Sequence, residues 1–183
     1  MEAVVFTRAS LQVTEQDAAR ALIERHRAAV YRVALRMLGD RSEAEDVAQD
    51  VLLQLVRTRD ALAPGSDEGA WAYAIAINRC RDLLRSHRHA RRTEAPEDRL
   101  DEEDPRPTPD QALDLARRER SVQAALQKLP ASYREVLVLR DLEGQPYRRM
   151  CEVLGLSETN LKARVIRARR ALARALEPLK DKP

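Results

Sequence analysis

The sequence predicts an all-α chain made of two small helical domains. Three observations predict it. Apolar residues recur at three- and four-residue steps over long stretches. Cap-type residues stand ahead of those stretches. Glycine is scarce, 5 in 183 residues, while 44% of the chain is hydrophobic and rich in Ala and Leu. The periodicity stops over residues 93–107, which divides the chain in two.

Residues 1–14 form an N-terminal extension with acidic Glu2 and no long apolar run, so they do not read as a secretory signal. The first domain is expected over residues 15–92. Its first helix runs from Glu15 to Leu38, with Leu22, His26, Val30, Val33, Met37 and Leu38 on one face and Gly39-Asp40 as its stop. Ser42, with Glu45 three residues on, fits a capping box for the second helix. The stripe of that helix is Ala44, Val47, Ala48, Val51, Leu52, Leu55 and Val56, and its opposite face carries Asp46, Gln49, Asp50, Leu53 and Gln54. Pro64-Gly65-Ser66 is a loop. A third helix spans Glu68 to His89, with Ala70, Tyr73, Ile77, Cys80 and Leu84 along one side and Trp71, Ala74, Ile75 and Asn78 along the next.

Residues 93–107, with Pro96, Pro105 and Pro107 among acids, read as a flexible acidic linker reaching at most about 50 Å. The second domain, residues 108–183, opens at Thr108-Pro109-Asp110-Gln111, a sequence suited to N-cap, N1 and N3. Pro130 breaks its first helix. Ser132 with Glu135 fits another capping box, and Val136, Leu137, Leu139 and Leu142 continue to Gly144. A short helix from Pro146 to Leu154 ends at Gly155, a left-handed cap. Ser157 caps the last helix, whose stripe is Leu161, Val165, Ala168, Leu172 and Leu176.

The net charge of +3 averages over opposed blocks. Residues 78–92 hold six arginines against Asp82 alone; residues 93–104 hold seven acids against Arg99. Residues 162–174 hold six basic residues and no acid. Segregation of this kind points to nucleic acid, and arginine suits phosphates and guanine edges. No apolar run is long enough to span a bilayer, so no membrane insertion is expected. Cys80 and Cys151 sit at core-like helical positions and cannot build a disulfide scaffold, which makes a cytoplasmic location the default. His26, His87 and His89 form no metal set. No paired nucleophile and base stands out, so neither an enzyme nor a cofactor is indicated.

Residues 147–167 carry the most information. A short helix, a turn at Gly155 and a longer amphipathic helix are the parts of a helix-turn-helix. The outer face of the second helix offers Thr159, Asn160, Lys162, Ala163, Arg164 and Arg167, types that suit base edges and phosphates. The bland alternative is a helical hairpin with a solvated basic face. Trp71 and Tyr73 precede Asn78 and the arginines, an aromatic and basic surface able to stack unpaired bases. Taken alone, Trp71 reads more readily as a core residue and the arginines as a solvated face. Asp46, Gln49 and Asp50 read either as a solvated face or as an interface for a basic partner helix.

Three segments together resemble the extracytoplasmic-function (ECF) sigma factors of bacterial RNA polymerase. GDRSEAEDVAQDVLLQLVR (Gly39 to Arg57) is similar to the family's core-binding helix. AWAYAIAINRCRDLLR (Ala70 to Arg85) is similar to its melting and −10 helix. LPASYREVLVLRDLEGQPYRRMCEVLGLSETNLKARVIRARRAL (Leu129 to Leu172) is similar to its −35-binding domain. The likeness runs from about Leu22 to Leu179. It implies an alternative sigma factor that binds core polymerase and directs initiation at chosen promoters. Asp46, Gln49, Asp50 and Leu53 would face the β′ clamp helices. Trp71, Tyr73, Asn78, Arg79, Arg81, Arg85 and Arg88 would meet single-stranded −10 DNA. Arg140, Tyr147, Arg148, Thr159, Asn160, Lys162, Ala163, Arg164 and Arg167 would meet duplex −35 DNA, with the second domain on the β flap. An anti-sigma factor is a further implied partner, one that could hold the chain at the membrane. Ala72, Ala74 and Ala76 stand where larger residues are common in the family, which implies strong dependence on a matching −10 element. The alternatives are a helix-turn-helix regulator that never joins polymerase and a helical adaptor with no DNA role.

Overall fold

The computed structural model describes residues 8–61, 65–93 and 110–180. The expected linker beyond Thr93, the Thr108-Pro109 cap and Pro64 lie outside the described residues. Helices α1 (Arg8–Leu38), α2 (Arg41–Thr58) and α3 (Glu68–Thr93) form the first unit. Helices α4 (Asp110–Gln127), α5 (Ala131–Leu137), α6 (Tyr147–Leu154) and α7 (Glu158–Lys180) form the second. A 3₁₀ turn, Arg59–Ala61, follows α2, and α5 runs on into a π-helical turn, Val138–Leu142. No strand occurs among the described residues.

Most residues of the expected stripes are buried, while Leu142 is 43% exposed and Leu84, Leu172 and Leu176 are half-buried. In α1, Leu22, Val30, Val33, Met37 and Leu38 face the core, and in α2 so do Ala44, Val47, Ala48, Val51, Leu52 and Leu55. Three boundaries differ from expectation, the simplest being α3, which runs to Thr93 rather than His89. Helix α1 begins at Arg8 rather than Glu15, because residues 8–14 contain no glycine or proline to stop it. The cap of α2 is Asp40, not Ser42: the Asp40 carboxylate accepts the Glu43 N–H at 2.9 Å. Both positions fit the pattern with an acid three residues on, but α1 ends at Gly39 with φ +83°, so the chain restarts at once. Replacing Asp40 by Ala is expected to cost about 1 kcal/mol, read as a lower urea midpoint. An unchanged midpoint would contradict this cap.

Ala72 and Ala76 are fully buried in α3, where their small size lets the helix pack closely. Asp67 caps α3 by accepting the Ala70 N–H at 2.9 Å. Pro130 stands at the N-cap of α5 with no side-chain cap bond. The expected Ser132–Glu135 capping box is absent, since Glu135 is buried and committed elsewhere. Gly155 holds a left-handed conformation, φ 64° and ψ 34°, and its N–H closes onto the Cys151 carbonyl. The Ser157 hydroxyl accepts the Asn160 N–H at 3.4 Å.

One hydrophobic core runs through both units. The C-terminal turn of α1 has carbonyls with no partner within the helix. Side chains of the second unit supply the partners. Gln123 donates to the Leu35 carbonyl at 3.0 Å and Gln127 to the Arg36 carbonyl at 3.2 Å, while Arg134 reaches the Met37 carbonyl. Gly39 makes room for Gln127, which would collide with a Cβ there. Arg134 also donates to the carbonyls of Gln127 and Leu129, so one cation sits at the negative ends of two helices. Burial pulls its guanidinium down to about 10.

Candidate nucleic-acid interfaces

Three surfaces hold the residues singled out by sequence. The first is the outer face of α2, where Asp46, Gln49, Asp50 and Leu53 are all exposed. Leu53 is 45% exposed, unusual for a large apolar residue opposite a clean apolar stripe. An exposed leucine on one helix face with two carboxylates is suited to a partner that is basic and apolar at once.

The second surface is the helix-turn-helix. Buried Met150, Val153 and Leu154 of α6 and Leu161, Val165 and Ala168 of α7 fix the angle between the two helices. That leaves Thr159, Asn160, Lys162, Ala163 and Arg167 exposed along α7. Two cations lie over the Tyr147 ring, Arg140 at 4.7 Å and Lys162 at 5.6 Å from its centroid. Arg140 also donates to the Gln145 carbonyl at 2.8 Å, which fixes its guanidinium. Lys162 bonds Glu158 at 2.6 Å, and that bond raises its pKa, so it stays charged. Arg148 points outward, 3.8 Å from Glu152. Two cations gathered on one aromatic ring beside the start of α6 suit contact with phosphates.

Arg164 departs from the sequence expectation. Its Nη1 donates to Glu135 at 3.2 Å, and it is half-buried. It braces α7 against α5 rather than standing outward with Arg167.

The third surface is α3. Asn78, Arg79, Arg85 and Arg88 are exposed, and Trp71 is half-buried. Tyr73 is not an exposed aromatic: it is only 7% exposed and the second unit covers it. Its hydroxyl donates to Glu143 at 3.3 Å and accepts from Gln145 at 3.4 Å, and the Arg149 guanidinium lies 5.7 Å from its ring. Burial and the Glu143 charge both raise the phenol's pKa. Arg81 is engaged too. Its Nε donates to Glu135 at 2.7 Å and its Nη1 to Asn78 at 3.2 Å.

These contacts form a seam that sequence reasoning missed. Arg32 of α1 donates through Nε and Nη2 to both oxygens of Glu143, at 2.9 and 2.8 Å. That fork raises the Arg32 pKa. Arg149 bonds Asp67 across the same seam. Glu135, 1% exposed, takes Arg81 from one unit and Arg164 from its own. One sequence signal could have found Glu135. It stands one position before Val136 and four before Leu139 in an apolar segment, so a carboxylate there needs partner cations.

Burial pushes the Cys80 thiol up to about 12, which makes it inert; Cys151 is half-buried. No helix among the described residues is long and apolar enough to cross a membrane.

Comparison with known proteins bears on these surfaces. The family description Sigma-70 region 2 matches residues 22–90, and Sigma-70 region 4 matches residues 119–172. The chain is 34% identical over 153 residues to the ECF RNA polymerase sigma factor SigE of Mycolicibacterium smegmatis, covering 82% of this chain and 58% of that protein. It is 33% identical over 144 residues to the ECF RNA polymerase sigma factor EcfG of Rhodopseudomonas palustris, covering 78% and 76%. Among solved structures it resembles the sigma factor RpoE in complex with the anti-sigma factor NepR from Bartonella quintana. That likeness has a TM-score of 0.67 and 26% identity over 82% of this chain and 91% of the other.

Proposed function

The chain belongs to the ECF sigma factors of bacterial RNA polymerase, and we propose on that premise that it is an alternative sigma factor acting in the cytoplasm through the three surfaces above. The exposed acidic face of α2 (Asp46, Gln49, Asp50, with Leu53) docks on the β′ clamp helices, and the second unit meets the β flap. The outer face of α7 reads the −35 duplex in the major groove, with Thr159, Asn160, Lys162, Ala163 and Arg167 at base edges and phosphates. Arg140, Tyr147 and Arg148 hold the flanking backbone. Asn78, with Arg79, Arg85, Arg88 and the Trp71 edge, engages the unpaired −10 strand. Arg81 and Tyr73 join that surface once the seam is open. Two weak DNA sites on one chain gain avidity through their tether. The chain performs no bond chemistry; the polymerase does.

The observation that carries this reading is the outward face of α7, five exposed polar, small or basic residues on a helix fixed by the Gly155 turn. An anti-sigma factor is the natural antagonist, by analogy with the complex of the sigma factor RpoE with NepR. One that is membrane-bound would hold the chain there. The simple regulator reading leaves the exposed Leu53 face without a role.

Transcription with purified core polymerase and a genomic promoter pool tests the proposal. The wild-type chain should yield promoter-specific transcripts. The double variant Asp46→Ala, Asp50→Ala should bind core polymerase about tenfold more weakly, which corresponds to about 1.4 kcal/mol. Absence of specific transcripts from the wild type would overturn the sigma reading.

A further inference from the structure

Residues 143–146 join the π-helical turn to α6, and they decide where α6 begins. Gly144 turns the chain with φ +65°, and Pro146 starts the helix with no side-chain cap bond. Between them stands Gln145, which is buried, as few polar side chains are among the described residues.

Each polar atom of Gln145 has a partner. Its backbone N–H donates to the Leu139 carbonyl at 2.8 Å, and its own carbonyl accepts from Arg140 Nη1 at 2.8 Å. The side chain spans the bend. Its Nε2 donates to the Glu143 carbonyl at 2.8 Å, and its Oε1 accepts from Arg149 Nη1 at 2.8 Å. Arginine only donates and a carbonyl only accepts, so the amide fits in one sense alone. These four bonds lie within the second unit; the 3.4 Å contact with the Tyr73 hydroxyl reaches outside it.

The amide works where a cap would. It ties Glu143, which ends the π-helical turn, to Arg149 in the first turn of α6. The carbonyl that holds Arg140 belongs to the same residue, so the clasp also sets the place of that guanidinium. Arg140 lies over the Tyr147 ring at 4.7 Å, and both belong to the group proposed to hold the −35 backbone. Phosphate contacts fix the register of a protein on a duplex, so such a cation must be held in place. Packing alone gives no reason for glutamine here. Methionine would fill much the same space and leave no buried amide to satisfy.

We infer that Gln145 is a positioning residue for −35 binding: its side-chain amide clasps the bend ahead of α6 and so aims Arg140 at the DNA backbone, without touching DNA itself. This rests on the sigma reading given above.

The test uses the full chain and fluorescence anisotropy with a labelled duplex recovered from the promoter pool, over a range of salt concentrations. Gln145→Met keeps the bulk of the side chain and removes its hydrogen bonds. It should bind the duplex about fivefold more weakly and lower the slope of log affinity against log salt by about 1, the change expected for one lost phosphate contact. Combined with Arg140→Ala, it should bind no more weakly than Arg140→Ala alone, because the amide acts through that arginine. If Gln145→Met does not fold, Gln145→Asn, whose amide is one methylene too short to span the bend, carries the same comparison. A residue that only supports the fold would lower the melting temperature and leave the affinity and salt slope of the folded chain unchanged; that result would overturn the proposal. Additive losses in the double variant would overturn it too. Failure of the sigma reading shows separately, as a lack of promoter-specific transcripts from wild type.

Discussion

Leu161→Ala is expected to lower stability by about 3 kcal/mol and to abolish sequence-specific duplex binding, while the outer face of α2 keeps its affinity for polymerase. Leu161 is fully buried, and its N–H closes the first turn of α7 onto the Ser157 carbonyl. Truncating such a leucine removes its transfer energy and leaves a cavity; comparable changes cost about 2–5 kcal/mol. For a chain of this length that is roughly a 10 °C fall in melting temperature. The DNA effect follows from geometry rather than from a lost contact. Leu161 points inward between Asn160 and Lys162, which point outward, so loosening the first turn of α7 misplaces the residues proposed to enter the groove. Urea unfolding followed by helix ellipticity gives the first number. Anisotropy with a duplex recovered from the promoter pool gives the second. A stability loss under about 1 kcal/mol would mean that α7 does not rest on this side chain.

Much of the fold was legible because helical stripes have a local period. The faces of α1, α2 and α7 follow from spacing, and Gly155 marks the turn because only glycine takes that backbone conformation cheaply. The seam was not legible. Its pairs join residues far apart in sequence, 32 with 143, 67 with 149 and 81 with 135, and no local pattern encodes which cation meets which acid. Local pattern misled at two acids. Ser42–Glu45 and Ser132–Glu135 both fit a capping box, yet Asp40 caps one helix and Pro130 begins the other. In the second case the burial of Glu135 decided the matter, and a spacing rule carries no information about burial. The same holds for Tyr73 and Arg81. The sequence places them on the correct helix, while the second unit decides that they are covered.

The largest remaining effect belongs to Glu135. Glu135→Leu is expected to cost about 3 kcal/mol, near the lower end for removing one partner from a buried ion pair. The lower end applies because Arg81 and Arg164 are each more than a quarter exposed and can turn toward water once the acid is gone. Glu135→Gln should cost less, since the amide keeps an acceptor for one arginine. A double-mutant cycle then separates the two roles of this carboxylate. Its coupling to Arg164 lies within the second unit, between α5 and α7, and should weaken with salt only as far as a partly exposed pair is screened. Its coupling to Arg81 crosses the seam, so any parting of the two units adds to that screening and makes it fall more steeply as salt rises. Glu135 would then be at once a brace for the reading helix and a tie between the two units. Equal salt dependence of the two couplings would show instead that the seam opens only when the second unit unfolds, and that closure is part of the fold rather than a state the chain can leave.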